Sequence, residues 1–207
     1  MSDCVYLTHP EVAVDPSVPV PDWSLSARGR ERAQAGLRQP FLTSIRHVFS
    51  SAERKAVETA GIFAGHLGLE VIVDPLMHEN DRSATGFLPP DEFETVADAF
   101  FAVPGASVRG WETARDAQRR VVERVTTALN GIHPGDGVLF VGHGAVGTLL
   151  KCHLAALEID RRHDQPAGGG HFYFFDRAML IRPRVADLLW QRIDDIAAFP
   201  SSSSPIG

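Results

Sequence analysis

Four short apolar runs, each long enough for a buried β-strand and too short for a helix, recur along this chain with helical segments between them. The predicted strands lie at residues 4–7, 47–50, 70–73 and 138–141. The first predicted helix is capped by Ser24 or Ser26 and ends before Pro40, and others cover 52–67, 91–101, 111–129 and 145–157. Strands and helices that alternate at this spacing predict an α/β fold, a three-layer α/β/α sandwich around a mainly parallel sheet.

The remaining segments predict how the domain is completed. Residues 171–176 and 179–182 resemble two adjacent strands, and 185–196 resembles a last helix. Residues 75–110 carry many loop signals, so we expect them to form a small cap over one end of the sheet. The sequence therefore predicts one domain over residues 1–200, followed by a serine-rich tail at 201–207 that we expect to be disordered.

Composition excludes several classes of protein. The chain has 207 residues, 44% hydrophobic and 22% charged, and 20 basic against 26 acidic side chains give a net charge of -6, which argues against a nucleic-acid partner. No apolar stretch approaches the roughly 18 residues of a membrane span, and the first residues do not open a signal peptide. Two cysteines, Cys4 and Cys152, are typical of a reducing compartment, so the sequence predicts a cytoplasmic protein.

Polar side chains stand where the predicted strands end. Thr8 and His9 follow the first strand, Lys55 begins a helix after the second, Glu79 follows the third, and His143 follows the fourth. The carboxyl ends of parallel strands meet at one edge of a sheet, so these side chains are expected to converge. Histidines, a lysine and helix N-termini favour an anion there. A histidine can also attack phosphorus while a carboxylic acid protonates the leaving oxygen.

Taken singly, each of these residues has a commonplace explanation. A histidine after a strand is more often a loop or packing residue than a catalyst, Lys55 alone would be a solvated helix residue, and Glu79 alone would be surface charge. His9 and His143 stand out because each directly follows a buried strand and adjoins a turn. The three glycines at 168–170 lack a following Lys-Ser/Thr pair, so they indicate a flexible connection rather than a phosphate-binding P-loop.

The order of the motifs carries more information than any one of them. Residues 6–11 are Tyr-Leu-Thr-His-Pro-Glu, residues 50–60 are Ser-Ser-Ala-Glu-Arg-Lys-Ala-Val-Glu-Thr-Ala, and residues 141–144 are Val-Gly-His-Gly. They resemble, in this order, the motifs Leu-x-Arg-His-Gly-Glu, Ser-Ser-Pro-Leu-x-Arg-Ala-x-x-Thr-Ala and Val-x-His-Gly of the histidine phosphatase superfamily, in its phosphoglycerate mutase-like branch. Weaker matches to family motifs at 25–33 and 110–113 extend the similarity over residues 4–157.

The resemblance implies a phosphoglycerate mutase-like fold and a metal-independent phosphatase without a cofactor. It implies that His9 accepts the phosphoryl group as a phosphohistidine and that Glu79 protonates the leaving group. His143 and Lys55 would stabilise the phosphoryl oxygens, with a weaker hydrogen bond from Thr8. The implied partner is a small phosphomonoester or inorganic phosphate, with neither nucleic acid nor membrane, and a homodimer is left open.

Four departures from the family pattern weaken the expected phosphate pocket. Thr8 and Lys55 stand where the family has two arginines, Pro10 replaces a glycine, and Asp15 replaces an asparagine of the mutases. An arginine offers a bidentate fork that neither replacement can offer. Charge-assisted hydrogen bonds contribute about 1.5–3 kcal/mol each, so losing two contacts would slow phosphoryl transfer by orders of magnitude. Four arginines could restore the charge: Arg54, Arg82, Arg109 and Arg115.

Two other functions stay open at this point. The chain could be a catalytically impaired family member that binds a ligand or a protein without turnover. It could also hydrolyse its substrate with a metal ion held by His9, His78, Glu79 and His143. Those residue types are admissible ligands, although no closely spaced pair such as His-x-x-x-His supports a metal site.

Overall fold

The computed structural model describes residues 4–196, and its centre is a six-stranded sheet. The strands are β1 (Cys4–Thr8), β2 (Ile45–Ser51), β3 (Val71–Asp74), β4 (Gly137–Gly142), β5 (His171–Phe175) and β6 (Gln191–Arg192). Their order across the sheet is β3-β2-β4-β1-β5-β6. The first four run parallel, whereas β5 is antiparallel to both β1 and β6, so the predicted mainly parallel sheet is confirmed.

Within residues 4–196, six α-helices surround the sheet. They are α1 (Ala27–Ala35), α2 (Arg54–Leu67), α3 (Pro90–Ala102), α4 (Ala114–Leu129), α5 (Gly144–Leu154) and the short α6 (Ala178–Ile181). Local chemistry explains several ends: the Ser26 hydroxyl accepts the Gly29 N–H at the start of α1, and α2 ends at Gly68 with φ 66°. Within residues 4–196, none of the helices combines the length and the apolar character needed to cross a bilayer.

Side chains that alternate along the strands form a separate core on each face of the sheet. Tyr6 and Phe140 point to one face, where they pack with the buried sides of α4 and α5. Val5 and Leu7 point to the other face, which α2 covers with Ala56, Ala60, Phe63 and Ala64. The two cores on opposite faces confirm the α/β/α layers.

The C-terminal part differs from the sequence prediction in two segments. Residues 179–182, predicted as a strand, lie mostly in α6, and 185–196, predicted as a helix, contain only β6. Long-range contacts hold this last segment. The Trp190 ring packs 4.7 Å from that of Tyr173, and the Ile193 N–H donates to the Gly170 carbonyl. These contacts with β5 and with Gly170, just before β5, hold the segment in place without helical hydrogen bonds. The tail at 201–207 lies outside the described residues.

Candidate active site

The two histidines singled out by the sequence face each other at the carboxyl end of the sheet. β1 and β4 are neighbouring parallel strands in a register that pairs Thr8 with Gly142, and each strand is followed by its histidine. The His9 N–H extends the ladder by donating to the Gly142 carbonyl at 3.0 Å. The ring centroids of His9 and His143 lie 5.3 Å apart, with their planes at 71°. Strand pairing therefore brings both side chains to one point.

Hydrogen bonding determines which nitrogen of His9 is free. Its Nδ1 lies 2.8 Å from the Pro10 carbonyl oxygen. Because a carbonyl oxygen only accepts, Nδ1 carries the hydrogen and Nε2 keeps its lone pair. Burial lowers the pKa of His9 to about 4, so the ring is neutral at pH 7. The proline that replaces the family's glycine thus still supplies the carbonyl that orients the imidazole.

Glycines at 168–170 support the backbone of His9 from the other side. The Gly170 N–H donates to the His9 carbonyl at 3.0 Å. All three glycines have positive φ, and a Cβ placed on Gly169 would lie 2.2 Å from the His9 carbonyl oxygen. This close approach requires glycine at 169. The run acts as a backbone support for His9.

Arg32 ties the same loops together. Its guanidinium, which is almost fully buried, donates to Glu11 at 2.9 Å, to Asp194 at 3.0 Å and to the Gly168 carbonyl at 3.1 Å. These bonds join α1, the loop after His9, the glycine run and the C-terminal segment. The immediate surroundings of His9 are therefore held by backbone contacts and by this buried arginine.

His143 is fully buried and uses only one of its ring nitrogens. Its Nε2 lies 2.8 Å from the Ser51 hydroxyl and 3.5 Å from a Glu53 carboxylate oxygen. Its Nδ1 has no hydrogen-bond partner among the residues that the structure describes. Burial lowers the pKa of His143 well below the ordinary value, so this ring is neutral as well. A buried nitrogen without a partner is costly, and a bound ligand could supply the missing bond.

Lys55 reaches the site, but its charge is already neutralised. Its ammonium group contacts the Glu53 carboxylate and donates to the Val20 carbonyl at 2.8 Å. The other oxygen of Glu53 accepts the Glu79 N–H at 2.9 Å. Burial alone would raise the pKa of Glu53, but the Lys55 ammonium group beside it and the Glu79 N–H hold this pKa well below its usual range. Glu53 is therefore a carboxylate inside the predicted phosphate pocket.

The Glu79 carboxyl group lies at the N-terminus of α5. It accepts the N–H groups of Ala145 at 3.2 Å and Val146 at 3.0 Å, so it caps the helix that begins beside His143. Burial raises the pKa of Glu79 more than the nearby Arg82 lowers it. A raised pKa keeps part of this group protonated at higher pH, which suits a carboxylic acid that donates a proton.

Thr8 also lies at the site, with its hydroxyl group turned towards β5. The hydroxyl donates to the Gln165 side-chain oxygen at 2.6 Å and accepts the His171 N–H at 3.0 Å. Because a hydroxyl has one hydrogen, Thr8 in this arrangement offers none to a ligand. The amide of Gln165 lies against Gly144, where a Cβ would approach its nitrogen to 2.6 Å. Thr8 thus orients an amide beside His143.

The four arginines that could replace the two missing family arginines differ in their surroundings. Arg54 pairs with Glu58, Arg109 pairs with Glu92, and Arg115 lies along Gly105. Arg82 reaches the site, with its guanidinium 5.0 Å above the Phe93 ring and 5.9 Å from that of Trp111. Within the described part of the chain, this guanidinium makes neither a hydrogen bond nor an ion pair, so it keeps its charge for a ligand.

Two cavities meet at Glu79, Asn80 and Arg82. The larger, of about 660 Å³, contains His9, and α3 supplies one of its walls. The smaller, of about 570 Å³, adjoins Glu53 and the proline-rich loop at 16–21. Aromatic side chains line the larger cavity: Phe93, Phe100, Phe101 and Trp111. The larger cavity thus combines His9 and acidic side chains such as Glu79 with an aromatic wall that comes mostly from α3.

The residues of the metal hypothesis do not assemble into a cation site. Over residues 4–196, no group of three or more His, Cys, Asp or Glu side chains is arranged to hold a metal ion. His78 directs its Nδ1 to the backbone carbonyl of Glu79. The geometry therefore does not support metal coordination by His78, Glu79, His9 and His143 together.

Sequence reasoning missed Glu53, Ser51 and Gln165 as members of the site. A signal existed for Glu53, because it stands where the family motif has leucine, and a charge that replaces an apolar residue beside a phosphate pocket is informative. No signal existed for Gln165, whose bond to Thr8 joins residues 157 positions apart. Ser51 lies within a matched motif, but its role depends on the orientation of the buried His143 ring.

Comparison with known proteins places this geometry in a family. Residues 17–170 match the family model described as histidine phosphatase superfamily (branch 1), a range that begins after His9. The chain is 28% identical over 141 residues to the probable phosphoglycerate mutase GpmB of Cronobacter sakazakii, and the alignment spans 64% of each chain, less than two thirds of the relative's length.

Two solved structures share the fold at low identity. The mycobacterial glucosyl-3-phosphoglycerate phosphatase in complex with inorganic phosphate superimposes with a TM-score of 0.73 at 20% identity, covering 95% of this chain and 98% of that one. YhfR of Bacillus stearothermophilus gives a TM-score of 0.70 at 20% identity, covering 94% and 97%. At this identity the similarity establishes a common architecture.

Proposed function

Because this chain belongs to the histidine phosphatase superfamily (branch 1), we propose that it hydrolyses a small phosphomonoester through a phosphohistidine on His9. One observation carries the proposal: the neutral His9 ring, whose Nδ1 hydrogen is engaged by the Pro10 carbonyl, faces His143 with the two ring centroids 5.3 Å apart. A neutral imidazole with a fixed tautomer is what a nucleophilic attack on phosphorus requires.

The proposed reaction has two steps. In the first, His9 Nε2 forms a bond to phosphorus while the bond to the ester oxygen breaks, and Glu79 gives its proton to the departing oxygen. In the second, a water oxygen attacks phosphorus while the bond between phosphorus and His9 Nε2 breaks, the Glu79 carboxylate accepts the proton of that water, and inorganic phosphate leaves. The raised pKa of Glu79 supports this exchange of roles.

His143 is the proposed donor to a phosphoryl oxygen. The Ser51 hydroxyl accepts the Glu53 N–H at 3.2 Å, so its own hydrogen is available to His143 Nε2 at 2.8 Å. That arrangement places the imidazole hydrogen on Nδ1, the atom without a partner among the described residues. Lys55 supplies a cation once it is released from Glu53, and Gln165, held by Thr8, supplies an amide donor.

Arg82 is the proposed replacement for one of the two arginines that bind phosphate in the family. Its guanidinium makes no ion pair in the described part of the chain, and it lies at the junction of the two cavities. Hydrolysis is favoured over a mutase reaction, because retaining a bisphosphate needs several free cations and Lys55 is neutralised by Glu53. The name of the GpmB relative and the phosphate bound by the mycobacterial neighbour agree with a phosphorylated ligand.

A phosphatase assay over a broad panel of small phosphomonoesters, with a chelator present throughout, tests this function. We expect turnover by the wild-type protein and its loss in His9→Ala, with a phosphoryl group on His9 detectable by mass spectrometry of rapidly quenched protein. His66→Ala, on the exposed side of α2, is the matched control and should retain activity. Turnover that persists in His9→Ala refutes the mechanism, and activity that a chelator abolishes and zinc restores favours the metal hypothesis.

The binding-module hypothesis keeps one specific observation in its favour, the Glu53–Lys55 pair that removes a cation from the pocket. In that case the folded protein binds inorganic phosphate, but no phosphohistidine forms on any panel substrate. For both functions we propose a cytoplasmic, single-domain protein with residues 75–110 as its cap, and no nucleic-acid partner. The net charge of -6 supports the last of these proposals.

A further inference from the structure

The Glu53 carboxylate is already bonded to two of the donors near His9 and His143, the Lys55 ammonium group and the Glu79 N–H. One carboxylate oxygen contacts the Lys55 ammonium, and the other accepts the Glu79 N–H at 2.9 Å and lies 3.5 Å from His143 Nε2. Only 11% of the Glu53 side chain and 3% of the Lys55 side chain are exposed. A carboxylate therefore already makes contacts of the kind that a phosphoryl oxygen would make here.

The position of Glu53 makes this contact relevant to ligands. Glu53 lines the smaller cavity, which shares Glu79, Asn80 and Arg82 with the cavity that contains His9. Among the described residues, Glu53 is the only acidic side chain that forms an ion pair with Lys55. The other acid nearby, Glu79, is directed to the N-terminus of α5. The charge of Lys55 is thus governed by a single neighbouring residue.

We propose that Glu53 is a specificity-determining residue, which holds Lys55 and thereby weakens the binding of doubly charged phosphoryl groups. The inference rests on the proposed function, since it concerns the same site. A phosphoryl group that enters must compete with Glu53 for the Lys55 ammonium group. Binding energy must then come mainly from the leaving group, which the aromatic cavity wall and Arg82 are placed to contact. Substrates of this protein are therefore phosphomonoesters with a sizeable apolar or aromatic leaving group, and inorganic phosphate binds weakly.

Lys55 supplies the test of this mechanism. If Glu53 acts by holding Lys55, removing the carboxylate must strengthen phosphate binding only while Lys55 is present. A merely structural role for the ion pair predicts no such dependence. A double-mutant cycle separates the two, because contacting residues that share a ligand show a coupling energy.

The experiment measures the binding of inorganic phosphate by titration calorimetry to the wild type, Glu53→Gln, Lys55→Met and the double variant. We expect Glu53→Gln to bind phosphate about tenfold to a hundredfold more tightly than the wild type, as one regained charge-assisted contact implies. In the Lys55→Met background the same substitution should change binding by less than about threefold. Glu70→Gln, an exposed carboxylate before β3, is the matched control and should not alter binding.

Calorimetry with phosphate keeps this inference distinct from the proposed hydrolysis. Tighter binding through Lys55 without turnover would support the role of Glu53 and contradict the phosphatase function, whereas turnover with unchanged binding would do the opposite. With turnover, Glu53→Gln should lower KM more for a phosphomonoester with a small leaving group than for an aryl phosphate. Equal or weaker phosphate binding by folded Glu53→Gln, or a gain that persists without Lys55, overturns the proposal. If Glu53→Gln does not fold, Glu53→Leu, which places the family's residue at this position, carries the same test.

Discussion

The site has two sides that are built in different ways. The histidine side consists of His9 and His143, which continue the neighbouring parallel strands β1 and β4. The cation side consists of Glu53 and Lys55 at the start of α2, which are held by their mutual ion pair. Backbone pairing positions the first side, and side-chain charges position the second. Substitutions in the motifs therefore leave the histidine geometry in place while they change the electrostatics of the pocket.

The contrast is visible in what each altered residue does. Pro10 differs from the family's glycine, yet it orients His9, because proline keeps the backbone carbonyl that accepts the Nδ1 hydrogen. Glu53 differs from the family's leucine, and its side chain removes the charge of Lys55 from the pocket. A backbone acceptor is present in every residue type, whereas a side-chain charge is not. Four experiments test this contrast between the two sides.

Loss of His9, the proposed nucleophile, is the largest expected effect. His9→Ala should reduce kcat on the order of 10⁴-fold or more, as removal of a covalent catalytic group does in other enzymes. Thermal unfolding should change far less, because the His9 loop is held by main-chain bonds to Gly142 and Gly170. Steady-state kinetics and calorimetry on the same preparations check both parts. A comparable collapse of stability would show that the histidine side also depends on its side chains.

Removing one partner of the ion pair should destabilise the cation side. Lys55→Met leaves the Glu53 carboxylate buried without its ammonium partner, so the free energy of unfolding should fall by about 3–5 kcal/mol. The double variant Glu53→Leu/Lys55→Met removes both charges and should return close to wild-type stability. Urea unfolding of the three proteins measures this, and equal destabilisation in the single and double variants would contradict it.

The His9 ring should titrate far below an ordinary histidine. Its pKa of about 4 lies below the usual 6.5, so the unfolded chain takes up the proton first as the pH falls. The contribution of His9 to stability is therefore complete above about pH 6.5 and is lost as the pH falls towards 4. NMR titration of the imidazole C–H signals, with His9 assigned from His9→Ala, should show no protonation of His9 at pH 5.5. Half-protonation near pH 6.5 would mean that the ring is solvated.

The smallest expected effect concerns Thr8. Thr8→Val removes the bond to Gln165 and leaves the His171 N–H without its acceptor, which should cost about 1–3 kcal/mol of stability. Phosphate affinity should fall only slightly, because the hydroxyl hydrogen points to Gln165. Thr127→Val on the exposed face of α4 serves as the control. A large loss of phosphate binding at unchanged stability would restore Thr8 as a direct ligand.

Much of the fold could be predicted from the sequence, because its strongest patterns are local. The apolar runs that became β1, β2, β3 and β4 are bounded by glycine or polar residues, and the helices between them carry caps such as Ser26. The C-terminal segments could not be predicted in the same way. They are short, and their conformation depends on contacts of Trp190 and Ile193 with β5 and the glycine run rather than on their own hydrogen bonds.

For the site, the sequence was enough to place four residues together, whereas their hydrogen-bond partners, and the other residues that join them, follow only from the folded structure. His9, Lys55, Glu79 and His143 converge because residues after parallel strands share one edge of the sheet, a consequence of topology alone. The free nitrogen of His9, the neutralisation of Lys55 and the turn of Thr8 towards Gln165 depend on single hydrogen bonds. Those bonds are set by distances of a few ångströms between residues remote in sequence, and no pattern along a chain encodes such distances.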